Sequence, residues 1–213
     1  MEQLLNCFSC QIYKESLTKN HKAMFEIKSN EVTPAAGRLL LSEPLLRDFY
    51  FRRSVVLLID HGEDGSFGVI INKPLKMSLN DVVNGIPEFD APVYIGGPVA
   101  SDKVFFLHSL GDEIPDSVPV NDELYWGGNL EALTEKIKEG TVDPDSIRFF
   151  LGYSGWTGNQ LDDEIKSNSW AVAIPKPEMI MKLKPERMWN KYVSTLGSDY
   201  RFWLHLPKDP MLN

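Results

Sequence analysis

Apolar residues in this chain come in short runs, broken by glycine, proline and acidic clusters. Arg53 to Asp60 reads RSVVLLID, an unbroken β-branched and aliphatic run of the kind that forms a strand buried on both faces. Ser66 to Asn72 (SFGVIIN) repeats it after the turn-length stretch His61-Gly62-Glu63-Asp64-Gly65, so the two predict a hairpin. Leu39 to Leu41 predicts a short strand stopped by Pro44. Val93 to Ile95, Lys103 to His108, Leu124 to Trp126, Arg148 to Gly152 and Trp170 to Ile174 predict five more. Helical spacing appears at Leu130, Leu133 and Ile137, behind Asn129 as N-cap and ahead of Gly140 as a stop. Gln160 to Lys166 and Pro185 to about Thr195 predict two further helices, and Ser78-Leu79-Asn80-Asp81 opens a short one in capping-box form. Helices and strands do not alternate regularly, which argues for α+β rather than a doubly wound α/β sheet.

The first 36 residues differ in character. Leu4, Leu5, Phe8 and Ile12 share a helical stripe, Lys-rich polar sequence follows, and Thr33-Pro34-Ala35-Ala36-Gly37 marks a boundary. Residues 1–36 are therefore expected to be a partly helical appendage, and residues 37–213 the domain proper. Cys7 and Cys10 have redox spacing but lack the preceding strand of a thioredoxin-like site, so both are expected to be ordinary helix residues. Two cysteines in 213 residues and no recognisable signal or membrane span predict a cytoplasmic protein.

Net charge changes the picture through its distribution. The chain carries −8 overall, and residues 111–145, with ten acids against Lys136 and Lys138, account for all of it. The bulk value argues against non-specific binding to nucleic acid or anionic membrane. The distribution makes the acidic belt a candidate surface for a basic protein partner, and it leaves the C-terminal third mildly basic. There Lys176, Lys182, Lys184, Arg187 and Lys191 lie with Trp189 and Tyr192 near one helix. No second helix with a short Gly-containing turn is predicted before it, so helix-turn-helix is not supported.

The segment from Arg148 to Lys166 is the richest in candidate chemistry. A strand is predicted to run into a Gly-rich turn (Gly152, Gly155, Gly158) and then a helix, with Ser154 between them. A nucleophile elbow needs Gly-x-Ser-x-Gly, but Trp156 fills the last position, and nothing places His108 or His205 beside the serine. An anion cradle is the other functional reading. Against it, Asp162, Asp163 and Glu164 crowd the first helical turn and the spacing matches no phosphate-binding fingerprint. The four histidines are scattered, so no metal site or cofactor is predicted. Tyr94-Ile95-Gly96-Gly97 is echoed by Tyr125-Trp126-Gly127-Gly128, which reads as two strand ends needing close backbone approach rather than a duplication.

Several blocks together resemble one family. Gly37-Arg-Leu-Leu-Leu-Ser-Glu-Pro44, Phe51-Arg-Arg-Ser-Val-Val-Leu-Leu58 and Phe67-Gly-Val-Ile-Ile-Asn-Lys-Pro74 come first. Gly96-Gly97-Pro98 with Phe106-Leu-His-Ser109 follows, and then Gly152-Tyr-Ser-Gly-Trp-Thr-Gly-Asn-Gln-Leu161 with Glu164-Ile165 and Trp170. In this order they resemble the AlgH/YqgE family of bacterial proteins, from Gly37 to Trp170. The resemblance implies an α+β fold of mixed sheets curled into a partly open barrel with short flanking helices, in a cytoplasmic protein. It implies no established reaction. The family name comes from a member linked to regulation of alginate production, hence a transcriptional-regulator label. Family members often carry Ala at the position of Ser154, which weighs against a serine nucleophile.

The expected function is therefore non-enzymatic: a regulatory protein that binds a small anionic ligand or a protein partner, with direct nucleic-acid binding disfavoured. The alternative is a hydrolase or transferase acting on a phosphorylated or acyl small molecule. The expected site is a concave face built from Arg53, Ser54, Asn72, Gly96, Gly97, His108, Tyr153, Trp156 and Gln160. Arg53 would supply an anion-binding fork, Asn72 and Gln160 would orient a polar group, and Tyr153 and Trp156 would form a flat wall.

Overall fold

The computed structural model describes residues 32–46 and 48–207. The expected helix over roughly 2–15 and the pair Cys7 and Cys10 lie outside the described residues. Among the described residues nine strands form one open sheet: β1 (Leu39–Ser42), β2 (Val55–Gly62), β3 (Gly65–Ile70), β4 (Val93–Ile95), β5 (Val99–His108), β6 (Val118–Pro119), β7 (Tyr125–Trp126), β8 (Ile147–Thr157) and β9 (Trp170–Ala173). Their order is β6-β7-β5-β8-β3-β2-β1-β9, with β4 beside β8. All pairings are antiparallel except β4 with β8. The α+β class is as expected. The sheet does not close into a barrel, because β6 and β9 end the path without pairing to each other.

Among the described residues four α-helices flank the sheet: α1 (Leu130–Lys138), α2 (Gln160–Lys166), α3 (Pro177–Lys182) and α4 (Pro185–Val193). Each strand of the β1–β2–β3 hairpin region is buried on both faces, which explains its unbroken apolar runs. Leu39, Leu41, Val55 and Leu57 face a core closed by α3, α4 and the 3-10 segment Ser198–His205. Leu40, Val56 and Leu58 face the opposite core, closed by α2 with Trp156 and Trp170. A third core lies under α1, where Leu133 and Ile137 meet Phe106, Ile147 and Phe149. Val32 also packs on the α2 side, so packed structure begins before Gly37.

The largest departure from expectation is β8. The predicted strand of five residues runs for eleven, through the Gly-rich stretch that reads as a turn in the sequence. Gly152 adopts φ +70°, so the chain bends there without leaving the sheet. Beyond it the pleat continues: Ser154 and Trp156 point inward and are buried, while Gly155 and Thr157 are exposed. Helix α3 was not expected. Its start is set by Pro177 at the first helical turn, and only Leu183 and Lys184 separate it from α4, so a helix does precede the basic one. The connection carries no glycine, and α4 turns Met188, Trp189, Tyr192 and Val193 into the core.

Candidate functional site

Strand β8 changes partner along one edge, and two family-like blocks meet at that point. Residues Phe149–Leu151 pair with β4, and Ser154–Thr157 pair with β3. Gly96, just past β4, bridges the two. Its N–H donates to Leu151 O at 2.8 Å, and its carbonyl accepts from Ile70 N–H at 2.9 Å. A Cβ on Gly96 would sit 2.0 Å from Gly152 O, and one on Gly97 would sit 2.3 Å from the Tyr153 carbonyl. Both glycines are present because main chain crosses main chain here. Ser154 is fully buried and its Oγ donates to Gly96 O at 3.1 Å. The serine stitches the crossing together; it does not sit at the tip of an elbow.

His108 is also buried and belongs to another cluster. Leu110 N–H donates to its Nδ1 at 3.2 Å, so the proton is assigned to Nε2, which donates to Gly127 O at 3.1 Å beside Ser117 Oγ. Burial pulls its pKa down, and the bond to Gly127 opposes the shift. His108 pairs with Ile147, and Ser154 lies seven residues further along that strand. At ~3.3 Å per residue the two are roughly 20 Å apart, too far for a nucleophile and its base.

The other expected site residues also have internal partners. Arg53 adopts φ +49°. It stacks over Trp189, 4.4 Å from the ring centroid, and donates through Nη2 to Leu206 O at 2.7 Å. Its guanidinium therefore clamps the C-terminal segment rather than offering an open fork, and burial lowers its pKa. Ser54 donates to Tyr50 O at 2.6 Å. Asn72 accepts from Val55 N–H at 2.8 Å and donates to Arg53 O at 2.9 Å. Tyr153 packs edge-on against Phe67 and Phe105. Trp156 faces the other side of the sheet, where it and Trp170 both donate to Glu164 Oε2, at 2.9 and 2.8 Å. Gln160 accepts from Thr157 N–H at 3.2 Å and donates to Glu164 Oε1 at 3.0 Å.

The nine residues thus fall into separate groups, and the structure does not bring them to one open concavity. Arg53, Ser54 and Asn72 brace one loop, Gly96 and Gly97 cross β8 near Tyr153, Trp156 and Gln160 share Glu164, and His108 stands apart. None of the nine lines the cavity at Arg148 or the depression beside Asp122 and Glu123.

One concavity, about 200 Å³, lies where the start of β8 meets the α3–α4 connection. Its wall includes Tyr94, Asp145, Arg148, Lys182 and Lys184. Arg148 is 4% exposed. It donates to Met181 O at 2.7 Å and makes a long contact to Ile71 O at 3.4 Å, and its guanidinium carbon lies 5.2 Å from the Tyr94 ring centroid. The ion pairs among the described residues join Lys136 to Glu113, Lys138 to Glu135 and Lys166 to Asp163. None of them neutralises Arg148. Burial lowers its pKa, while Tyr94, Tyr192 and Asp145 favour the charged form. A second depression, about 420 Å³, lies on the acidic belt beside Asp122, Glu123 and Tyr125. All ten acids of the belt are exposed. Among the described residues no three His, Cys, Asp or Glu side chains gather as metal ligands, and no helix is long and apolar enough to cross a membrane.

A family model described as AlgH-like matches residues 39–201. This chain belongs to the AlgH-like family. A UPF0301 protein of Parabacteroides distasonis is 46% identical over 196 residues, covering 91% of this chain and 99% of the relative. The UPF0301 protein BF2109 of Bacteroides fragilis is 44% identical over 191 residues, covering 89% and 97%. The solution structure of the AlgH protein from Pseudomonas aeruginosa matches with a TM-score of 0.65 at 27% identity, over 85% of this chain and 98% of that one. The crystal structure of protein DIP2367 from Corynebacterium diphtheriae shares the fold at a TM-score of 0.65 and 24% identity, over 83% and 94%. The AlgH-like resemblance read from the sequence blocks is thus the family the whole domain shows.

Arg148, Tyr94, Lys182 and Lys184 do not stand out as a group in the sequence. The signal available was an arginine opening the otherwise apolar run Arg148-Phe149-Phe150-Leu151. A charge at the head of a buried strand needs a compensating group, and the missing information was that α3 and α4 fold back over it.

Proposed function

We propose that this AlgH-like protein acts in the cytoplasm by binding rather than by catalysis, as a regulatory protein for a small anionic ligand or a protein partner. The observation that carries this reading is the state of Ser154 and His108. Each is fully buried, each is committed to main-chain hydrogen bonds, and roughly 20 Å of the β5–β8 ladder separates them. A serine without exposure or a base cannot be activated for acyl or phosphoryl transfer. The regulatory label attached to the family fits a protein whose motif blocks build a scaffold. Direct DNA contact is not part of the proposal: in the basic C-terminal region α3 has six residues and α4 buries its apolar face, so neither of these two helices is free to act as a recognition helix.

Treatment of the native protein with a fluorophosphonate probe tests the reading. Ser154 is expected to remain unlabelled while the chain is folded. Stoichiometric labelling that disappears in Ser154→Ala would overturn the binding reading in favour of a hydrolase.

A further inference from the structure

We infer that the cavity between β8 and the α3–α4 connection is a binding site for a small phosphomonoester, with Arg148 at its floor and Lys182 and Lys184 at its mouth. The inference rests on the reading of the chain as a binding protein and assigns that reading a site and a ligand class.

Charge is the first argument. A buried guanidinium is costly unless an anion or a full set of acceptors compensates it. Arg148 is almost fully buried, yet its hydrogen bonds reach only two main-chain carbonyls, one of them at 3.4 Å. An arginine has five N–H donors in a planar fork suited to an oxyanion. Met181 O belongs to the last turn of α3, so the guanidinium is held by a helix C-terminus, and Arg148 itself lines the cavity. Lys182 and Lys184 are exposed, and both line the cavity. Against these three cations stands one lining carboxylate, Asp145. The lining therefore carries an excess of two positive charges, which a phosphomonoester dianion matches and a carboxylate half fills.

Size and surface are the second argument. Drug-sized sites occupy roughly 300–1,000 Å³. This cavity holds about 200 Å³, the share of roughly seven waters, enough for one phosphate and a compact organic part. Tyr94 supplies a ring face beside Arg148, and Met181 and Leu183 supply apolar wall. Asp145 acts on the site as a competitor: its carboxylate favours charged Arg148 across the cavity without closing an ion pair.

Calorimetric titration of the full chain with phenyl phosphate, inorganic phosphate and benzoate tests the assignment. Phenyl phosphate is expected to bind one site per chain, at least tenfold tighter than either inorganic phosphate or benzoate. Arg148→Met should abolish binding, but it also removes the bonds to Ile71 O and Met181 O and can unfold the chain. The decisive variant is therefore Lys182→Gln with Lys184→Gln, both at exposed positions. It should weaken phenyl phosphate at least tenfold with an unchanged melting temperature, while Lys166→Gln with Lys191→Gln leaves affinity within twofold. Asp145→Asn should tighten binding several-fold. Equal loss from both lysine pairs, or no binding of phenyl phosphate, overturns the site. Benzoate binding as tightly as phenyl phosphate, with the same response to the variants, overturns the ligand class and keeps the binding reading. Ser154 labelling alone decides against binding itself.

Discussion

Glu164 tests how this sheet is locked to α2. One carboxylate oxygen accepts two indole N–H groups, from Trp156 and Trp170, at 2.9 and 2.8 Å. The two tryptophans are 6% and 3% exposed, and their rings meet edge-on at 5.8 Å. Glu164→Ala strands both donors in an apolar core where the neighbouring side chains are Phe51, Leu161 and Ile165. A buried donor left without a partner costs about 1–3 kcal/mol, so the pair should cost roughly 2–6 kcal/mol. In a chain of this size ~1 kcal/mol moves the melting temperature by about 2–4 °C, giving an expected fall of roughly 5–20 °C. Glu164→Gln keeps one oxygen for the two indoles but turns its NH2 toward the Gln160 NH2, losing that exposed bond as well as the charge assistance, so it should cost less than the alanine change, about 1–3 kcal/mol. Urea unfolding followed by tryptophan fluorescence measures both, and the emission should also change in the folded baseline of the alanine variant. A Glu164→Ala protein within ~0.5 kcal/mol of wild type would refute the account of these two bonds.

Four further outcomes are expected. Gly96→Ala, whose Cβ would lie 2.0 Å from Gly152 O, should prevent folding or destabilise by more than about 3 kcal/mol. Gly62→Ala, with nothing within 4 Å, should stay near wild type in the same unfolding assay. His108 has a folded pKa below its ordinary 6.5 because burial disfavours the charged ring. Its contribution to stability is therefore complete above that value and is lost as pH falls below it, where the unfolded chain takes up a proton that the folded chain refuses. Comparing urea midpoints at pH 7.5 and 5.5 should show a shallower loss in His108→Gln than in wild type. Lys73 donates to Phe49 O and Tyr50 O, and burial, countered by Asp48 and reinforced by Arg52, brings its pKa to about 8. Limited acetylation at pH 8 should modify Lys73 ahead of the exposed Lys76 and Lys103, read by peptide mass spectrometry.

Hydrophobic patterning carried much of the fold. The β2–β3 hairpin, β1, β4, β9, α1 and α2 lie where apolar runs and capping residues place them, because each is specified by neighbours in sequence. The misses have a common cause. The predicted end of β8 at Gly152 treats glycine as a stop, whereas here a positive φ bends a strand that cross-strand pairing with β3 and β5 keeps extended. Helix α3 starts at a proline and is six residues long, too short for periodicity to show. Strand β6 has two residues, and only its pairing with β7 defines it. The dispersal of the expected site residues has a related reason. Arg53, Asn72, Ser154 and His108 stand in recognisable blocks because they hold loops and crossings together, and a sequence block does not show whether its polar groups face inward or out. Arg148 gave a weaker signal, and its surroundings come from residues 145 and 181–185, which only the tertiary fold brings to it.

Binding of a small phosphate ester at the Arg148 cavity, with no chemistry at Ser154, is open to one direct test. The most direct measurement is a nitrogen-15 NMR titration of the full chain with phenyl phosphate, following the Arg148 Nε–Hε signal and the main-chain amides of residues 145 and 182–186. The account predicts that these signals move together and saturate at one equivalent of ligand, while the amides of Gly96, Tyr153 and Ser154 stay fixed. Saturating shifts centred on Gly96 and Ser154, with Arg148 unmoved, would contradict it.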